Sequence, residues 1–190
     1  MKTSLQELQQ GDGLLIIDVQ NCFSAGGSLA IEDADAIIPG VNAIIEAALR
    51  EGIPVYASRD WHPKGHISFR EQGGEWPPHC IADSNDAHFH PDLNLPEDVV
   101  IITKGVRFDQ DQNSVFDGTG FAERLRRDGI KRLWVAGLAL DVCVFASVMD
   151  ALKEGFAVKL LLQATRPVNP AAGDEALRKM EEAGAKIIGN

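Results

Sequence analysis

All five histidines of the chain, His62, His66, His79, His88 and His90, fall between residues 60 and 97, in a stretch rich in Pro, Gly and Asn. Within Arg59-Asp60-Trp61-His62-Pro63, Asp60 and His62 stand two apart, a spacing that extended backbone projects to one side. His79, in Trp76-Pro77-Pro78-His79-Cys80, would complete a set of one carboxylate and two imidazoles. Such a set leaves coordination positions open and suits one divalent ion: zinc, iron or manganese. The other reading is a group of polar loop residues bonded to backbone. Cys80 could compete as a ligand, but its neighbour His79 would then be awkwardly aimed.

Cys143, in Gly137-Leu138-Ala139-Leu140-Asp141-Val142-Cys143-Val144, falls in the first turn of an expected helix capped by Asp141. Unpaired N–H groups and the positive end of the helix dipole favour thiolate there, and the same N–H groups could hold an oxyanion. A nucleophile is one reading of this thiol; a small buried core cysteine is the other. Asp18, directly after Leu14-Leu15-Ile16-Ile17, could cap a helix, or could take the thiol proton and return it to a leaving amine. Lys104 is either a solvated lysine or the cation that holds both anionic groups. No His follows Cys143 and no serine-elbow pattern is present, so if Cys143 is a nucleophile its expected base is Asp18 in preference to an imidazole. Gly11-Asp12-Gly13 precedes the first apolar run instead of following it, which removes the dinucleotide fingerprint.

Short β-rich runs alternating with helical patterns supply the frame. Strands are expected over 14–17, 55–58, 99–102, 133–136, 158–162 and 186–188, with helices over 34–50, 121–128, 141–154 and 172–183. This alternation predicts an α/β fold: a single-domain, three-layer α/β/α, Rossmann-like arrangement over residues 1–190 with a six-stranded, mostly parallel sheet. Residues 60–97 form the one long interruption, expected to be a metal-binding and substrate loop region. Ligands of open α/β sheets bind outside the carboxyl ends of the strands. Asp18, Asp60, Lys104 and Cys143 all fall at such ends, so topology alone gathers them on one rim.

The balance of 28 acidic against 18 basic residues, a net charge of −10, repels phosphate backbones and anionic lipid and argues against nucleic acid or membrane as partners. No secretory signal is evident at the start, and the most apolar stretch, 133–149, is broken by Gly137 and Asp141, so a cytoplasmic protein is expected. Three cysteines far apart in sequence suggest a reducing compartment and thiol chemistry, not a disulfide frame.

The motifs together resemble the nicotinamidases (pyrazinamidases) of the isochorismatase-like cysteine hydrolase family. They are Leu15-Ile16-Ile17-Asp18-Val19-Gln20-Asn21, Gly26-Gly27-Ser28-Leu29-Ala30, Ser58-Arg59-Asp60-Trp61-His62-Pro63, Trp76-Pro77-Pro78-His79-Cys80, Phe89-His90-Pro91, Thr103-Lys104-Gly105 and the segment around Cys143. The resemblance implies Cys143 as nucleophile, Asp18 as general base and acid, and Lys104 as their electrostatic partner. It implies Asp60, His62 and His79 as ligands of one divalent metal, with Ser68 or His66 outside them. Phe23 and Trp76 would flank a flat pyridine ring, and a cis peptide between Leu138 and Ala139 would turn the Ala139 and Cys143 N–H groups toward an oxyanion.

The activity so implied is hydrolysis of nicotinamide to nicotinate and ammonia through a cysteine thioester, in NAD salvage. The partner is a small aromatic amide, with a homo-oligomer as an option. Cys22, Leu140, Ser84-Asn85-Asp86 and Gln163 depart from the family pattern without touching a catalytic or metal position, and bear on substrate preference. The alternatives are a related cysteine amidohydrolase acting on another small amide or an N-carbamoyl amine, a metallohydrolase that activates water, and a non-catalytic metal- or ligand-binding protein. Isochorismatase-type ether hydrolysis fits less well, since it uses neither the cysteine nor a metal.

Overall fold

A strand that is apolar on both faces needs cover on both faces, and the middle of a parallel sheet supplies it. The computed structural model of the chain, which describes residues 7–189, contains six strands, those in the middle of the sheet covered in this way. They are β1 (Asp12–Ile17), β2 (Val55–Asp60), β3 (Val100–Lys104), β4 (Arg132–Leu138), β5 (Ala157–Arg166) and β6 (Lys186–Ile188). Their spatial order is β3-β2-β1-β4-β5-β6 and every neighbouring pair is parallel. The expected sheet is therefore present, wholly rather than mostly parallel.

Four helices cover it: α1 (Ile38–Arg50), α2 (Phe121–Arg127), α3 (Phe145–Lys153) and α4 (Pro170–Glu182). Leu14 and Ile16 of β1 point into one core with Val41, Ile44 and Ile45 of α1. Leu15 and Ile17 point into a second core with Leu125 of α2, Val148 of α3 and Met180 of α4. These four β1 side chains are at most 1% exposed. Each contributes roughly 1.5–3 kcal/mol relative to exposure, which fixes whatever follows β1 in the sequence. Among the described residues no helix is long and apolar enough to cross a membrane.

Three helix starts differ from the sequence expectation, each for a local reason. Residues 34–37 form a 3₁₀ turn, and α1 starts only at Ile38 with Pro39 in its first turn, where a missing N–H costs nothing. Asn169 caps α4, accepting from the Ala171 and Ala172 N–H groups at 2.9 and 3.2 Å, so that helix starts at Pro170 and not at 172. Asp141 does not cap a helix. It lies inside a π-helical turn, Leu140–Val144, ahead of α3, and its carboxylate accepts from the Val168 and Asn169 N–H groups at 2.8 and 2.9 Å.

The cysteine expectation is corrected as well. Cys22 and Cys80, 58 residues apart, form a disulfide with Cα atoms 5.5 Å apart, leaving Cys143 as the free thiol. The turn Asn21–Phe23 and the loop after His79 pack together, so two residues remote in sequence meet in a fully buried place. A bonded sulfur is no thiolate, and Cys80 drops out as a metal ligand. Closing a loop of this length is worth about 4 kcal/mol in the chain-entropy account. Urea unfolding with and without a dithiol reductant is expected to differ by that amount for the native sequence, and not for the Cys22→Ala/Cys80→Ala double variant.

Candidate active site

Strand order reverses between β1 and β4, and a crevice opens at their carboxyl ends. Asp18 emerges from β1 in a left-handed conformation (φ 48°), which Asp tolerates better than most residues, and its carboxylate is fully buried. Ser58 Oγ, at the end of the paired register of β2, donates to Asp18 Oδ1 at 2.7 Å. Lys104 and Asp60 are register partners on β3 and β2, so their side chains leave the sheet together. Cys143 enters from the π-helical turn after β4, 5% exposed and lining a pocket. The Leu138–Ala139 peptide is cis, as the resemblance implied.

Lys104 joins these groups. Its Nζ lies 2.9 Å from Asp18 Oδ2, 2.5 Å from Asp60 Oδ1 and 3.3 Å from Cys143 Sγ. Asp18, Asp60 and Cys143 present ligand atoms within 4.8 Å of one another, an arrangement that would suit a metal were the ammonium not already among them. Burial alone would lower Lys104, but Asp18 and Asp60 outweigh it and hold the ammonium protonated well above the usual lysine range. Burial pushes the Asp18 carboxyl up against the pull of Lys104. It also pushes the Cys143 thiol well up, with Asp18 and Asp60 adding to the rise. Burial thus opposes the resting thiolate expected from the helix end, and the thiol needs a base.

The second cluster lies alongside. Asp60, His62 and His79 are all buried and present one ligand atom each within 4.8 Å of one another. His62 Nδ1 faces the Gly105 carbonyl at 3.0 Å and His79 Nδ1 faces the Pro77 carbonyl at 2.8 Å. Backbone carbonyls can only accept, so both rings carry hydrogen on Nδ1 and offer a lone pair at Nε2. His62 Nε2 is buried without a hydrogen-bond partner, 3.5 Å from Asp60 Oδ2. Burial lowers the His79 pKa, keeping the ring neutral. An orphaned buried nitrogen beside a carboxylate and a second neutral imidazole fits a divalent cation well. Gly105 is needed here, because a Cβ at its left-handed position would run into the His62 ring.

The remaining histidines separate from this set. His66 donates from Nε2 to the Gln110 carbonyl at 3.1 Å and accepts at Nδ1 from Ser68 Oγ at 2.7 Å, so neither nitrogen is free. Its ring lies 4.2 Å from that of His62. His88 packs against Trp61, and His90 Nδ1 accepts from the Asp92 N–H. Phe23 and Trp76 both line the pocket. Asp111, Gln112, Asn113, Leu29, Val142 and Val168 line it too, and none of these was expected. Gln112 is held in place by accepting from the Gly105 N–H at 3.1 Å and donating to the Asp117 carbonyl. The run from Phe108 to Ser114 reads in sequence as a solvated loop, with no pattern to mark it.

Comparison with known proteins finds relatives along nearly the whole chain. A nicotinamidase of Escherichia coli (strain K12) is 34% identical over 197 residues, covering 92% of each chain. A solved structure of a pyrazinamidase of Pyrococcus horikoshii in complex with zinc superposes with a TM-score of 0.92 at 42% identity, over 95% of this chain and 99% of that one. PnC1 from L. infantum in complex with nicotinate gives a TM-score of 0.86 at 38% identity, over 93% and 91%. The isochorismatase domain is matched over residues 12–190, and the chain belongs to the isochorismatase family.

Proposed function

We propose that this chain is a nicotinamidase, a cysteine amidohydrolase that converts nicotinamide to nicotinate and ammonia and so returns the ring to NAD salvage. The observation that carries the reading is Lys104 Nζ within 3.3 Å of Cys143 Sγ, Asp18 and Asp60 at once, beside a second ligand set on the same pocket. The names of the relatives, and the zinc and nicotinate held by two of the solved structures, support it.

Asp18, its carboxyl raised by burial, takes the Cys143 proton. The sulfur attacks the carboxamide carbon, and the N–H groups of Ala139 and Cys143 receive the oxyanion. As the C–N bond breaks, Asp18 delivers the proton to the departing nitrogen and ammonia leaves. Water, deprotonated by Asp18, then cleaves the thioester, releasing nicotinate and restoring the thiol. Lys104 stays charged throughout and stabilises whichever of its neighbours is anionic. Phe23 and Trp76 hold the flat ring between them. Asp60, His62 and His79 would hold a divalent cation, whose Lewis acidity anchors the pyridine nitrogen when it is bound.

Ammonia release from nicotinamide, pyrazinamide, benzamide and an N-carbamoyl amine tests the proposal, before and after chelation. Nicotinamide and pyrazinamide are expected to turn over, with benzamide at least about 10²-fold slower because it leaves a polar anchor without its partner. Chelation should abolish turnover, and zinc, iron or manganese should restore it. Turnover of the N-carbamoyl amine with nicotinamide inert would overturn the substrate assignment.

A further inference from the structure

Gln20 follows the expected base by two residues and has no role in the chemistry above, yet its side chain is fully buried beside the second cluster. Its amide makes three hydrogen bonds, all to main chain. Oε1 accepts from the Asp60 N–H at 2.8 Å. Nε2 donates to the Asp60 carbonyl at 2.8 Å and to the Ala87 carbonyl at 2.7 Å. Both protons of the amide and one acceptor position are thereby used.

The reason for this arrangement lies in the register. On its β1 side, β2 is paired only as far as Ser58, which lies opposite Ile17 and accepts from the Asp18 N–H at 3.2 Å. The chain then turns away, while β2 continues to Asp60. On the β3 side pairing persists, with the Trp61 N–H donating to the Lys104 carbonyl at 3.0 Å. The N–H and carbonyl of Asp60 therefore face a place where no strand remains. A carboxamide offers one donor and one acceptor in the spacing of a peptide group, and Gln20 substitutes for the missing strand residue.

We infer that Gln20 is a positioning residue for the metal centre, holding the Asp60 backbone so that Oδ1 serves Lys104 while Oδ2 faces His62 Nε2. Its third bond extends the same hold toward the His79 loop. Ala87 belongs to the turn whose Asp86 Oδ2 accepts from the N–H of Cys80, the residue after His79. One amide thus ties the strand that carries the first ligand to the loop that carries the third. The inference rests on the metal centre proposed above.

Metal binding by chelated protein tests it, with Gln20→Met, the isosteric Gln20→Glu and a control, Tyr56→Phe. Gln20→Met removes all three hydrogen bonds at similar volume, and Gln20→Glu keeps the shape but loses both donors. Tyr56 lies on the same strand at its far end, where its hydroxyl donates to Asp128 Oδ2 at 2.7 Å. Both Gln20 variants are expected to raise the zinc dissociation constant about 10–100-fold in competition with a chromophoric chelator. They should also alter the d–d absorption of bound Co²⁺. Tyr56→Phe should lower the thermal midpoint and leave both readouts unchanged. A wild-type zinc constant and cobalt spectrum in Gln20→Met and Gln20→Glu, or an equal loss in Tyr56→Phe, would overturn the inference while leaving the metal centre standing. Native protein that takes up neither ion would overturn both.

Discussion

Replacing Cys143 by alanine is expected to lower ammonia release from nicotinamide by about 10⁴-fold or more while leaving the fold and ligand binding in place. The sulfur is the one free thiol of the chain and the group on the pocket wall able to form a covalent acyl intermediate beside a buried base. Its removal deletes a small side chain at a place 5% exposed, so the surrounding packing suffers little. What remains is the second ligand set and the aromatic walls, which bind but do not attack. A metallohydrolase that activates water on the Asp60, His62 and His79 side would behave oppositely, keeping most of its turnover without the sulfur and losing it with Asp60. Single-turnover kinetics on both variants, with nicotinamide binding followed by calorimetry, separates the two. Substantial turnover by Cys143→Ala would remove the thioester route.

Cys143→Ser sharpens the same argument. A hydroxyl is harder to deprotonate than a thiol that burial has already pushed upward, so Asp18 would face a still larger gap and the variant should stay close to the alanine level.

The sequence exposed the parts of this site that depend on topology and concealed those that depend on three-dimensional meeting. Parallel strands buried on both faces read as unbroken apolar runs, so the positions just past them could be named, and Asp18, Asp60 and Lys104 are where those runs end. His62 and His79 stood out through clustering and through motifs shared with a known family. Cys22 and Cys80 carried no such mark, because 58 residues separate them and only the packing of two loops brings them together. For Cys143 local structure speaks for thiolate at a helix end, while near-complete burial, a property of the whole fold, pushes the thiol up. Asp141 looked like a helix cap by position; the π-helical turn instead aims it at the start of the segment leading into α4. Gln20 and Gln112 are polar residues beside loops, a description that fits most solvated glutamines equally well. Their work is to satisfy backbone groups left over where strands stop or loops cross, and such leftovers are invisible until the register is known.

Lys104→Met is expected to remove activity and to destabilise the fold by about 3–5 kcal/mol at neutral pH, the usual consequence of deleting one partner of a buried ionic group. Methionine matches the stem of lysine, so the packing change is small and the effect is electrostatic. Two carboxylates, fully or nearly fully buried, would be left without the ammonium that sits 2.9 and 2.5 Å from them. In the native protein Asp60 stays well below the usual carboxylate range despite its burial, because the Lys104 ammonium favours its charge. A depressed carboxyl contributes stability above its unfolded pKa, near 3.9. A lysine raised in the fold contributes stability at every pH below its unfolded value, near 10.4. Both contributions are therefore complete across the neutral range and both vanish in the variant. Without the ammonium, burial raises Asp18 and Asp60 together, and the two are tolerated best when protonated. The stability deficit of Lys104→Met should accordingly be smallest near pH 4 and grow as pH rises toward 7. Urea unfolding of both proteins across that interval measures it. A deficit independent of pH would mean that Lys104 acts through packing and not through its charge, and the electrostatic role assigned to it in the reaction would lose its basis.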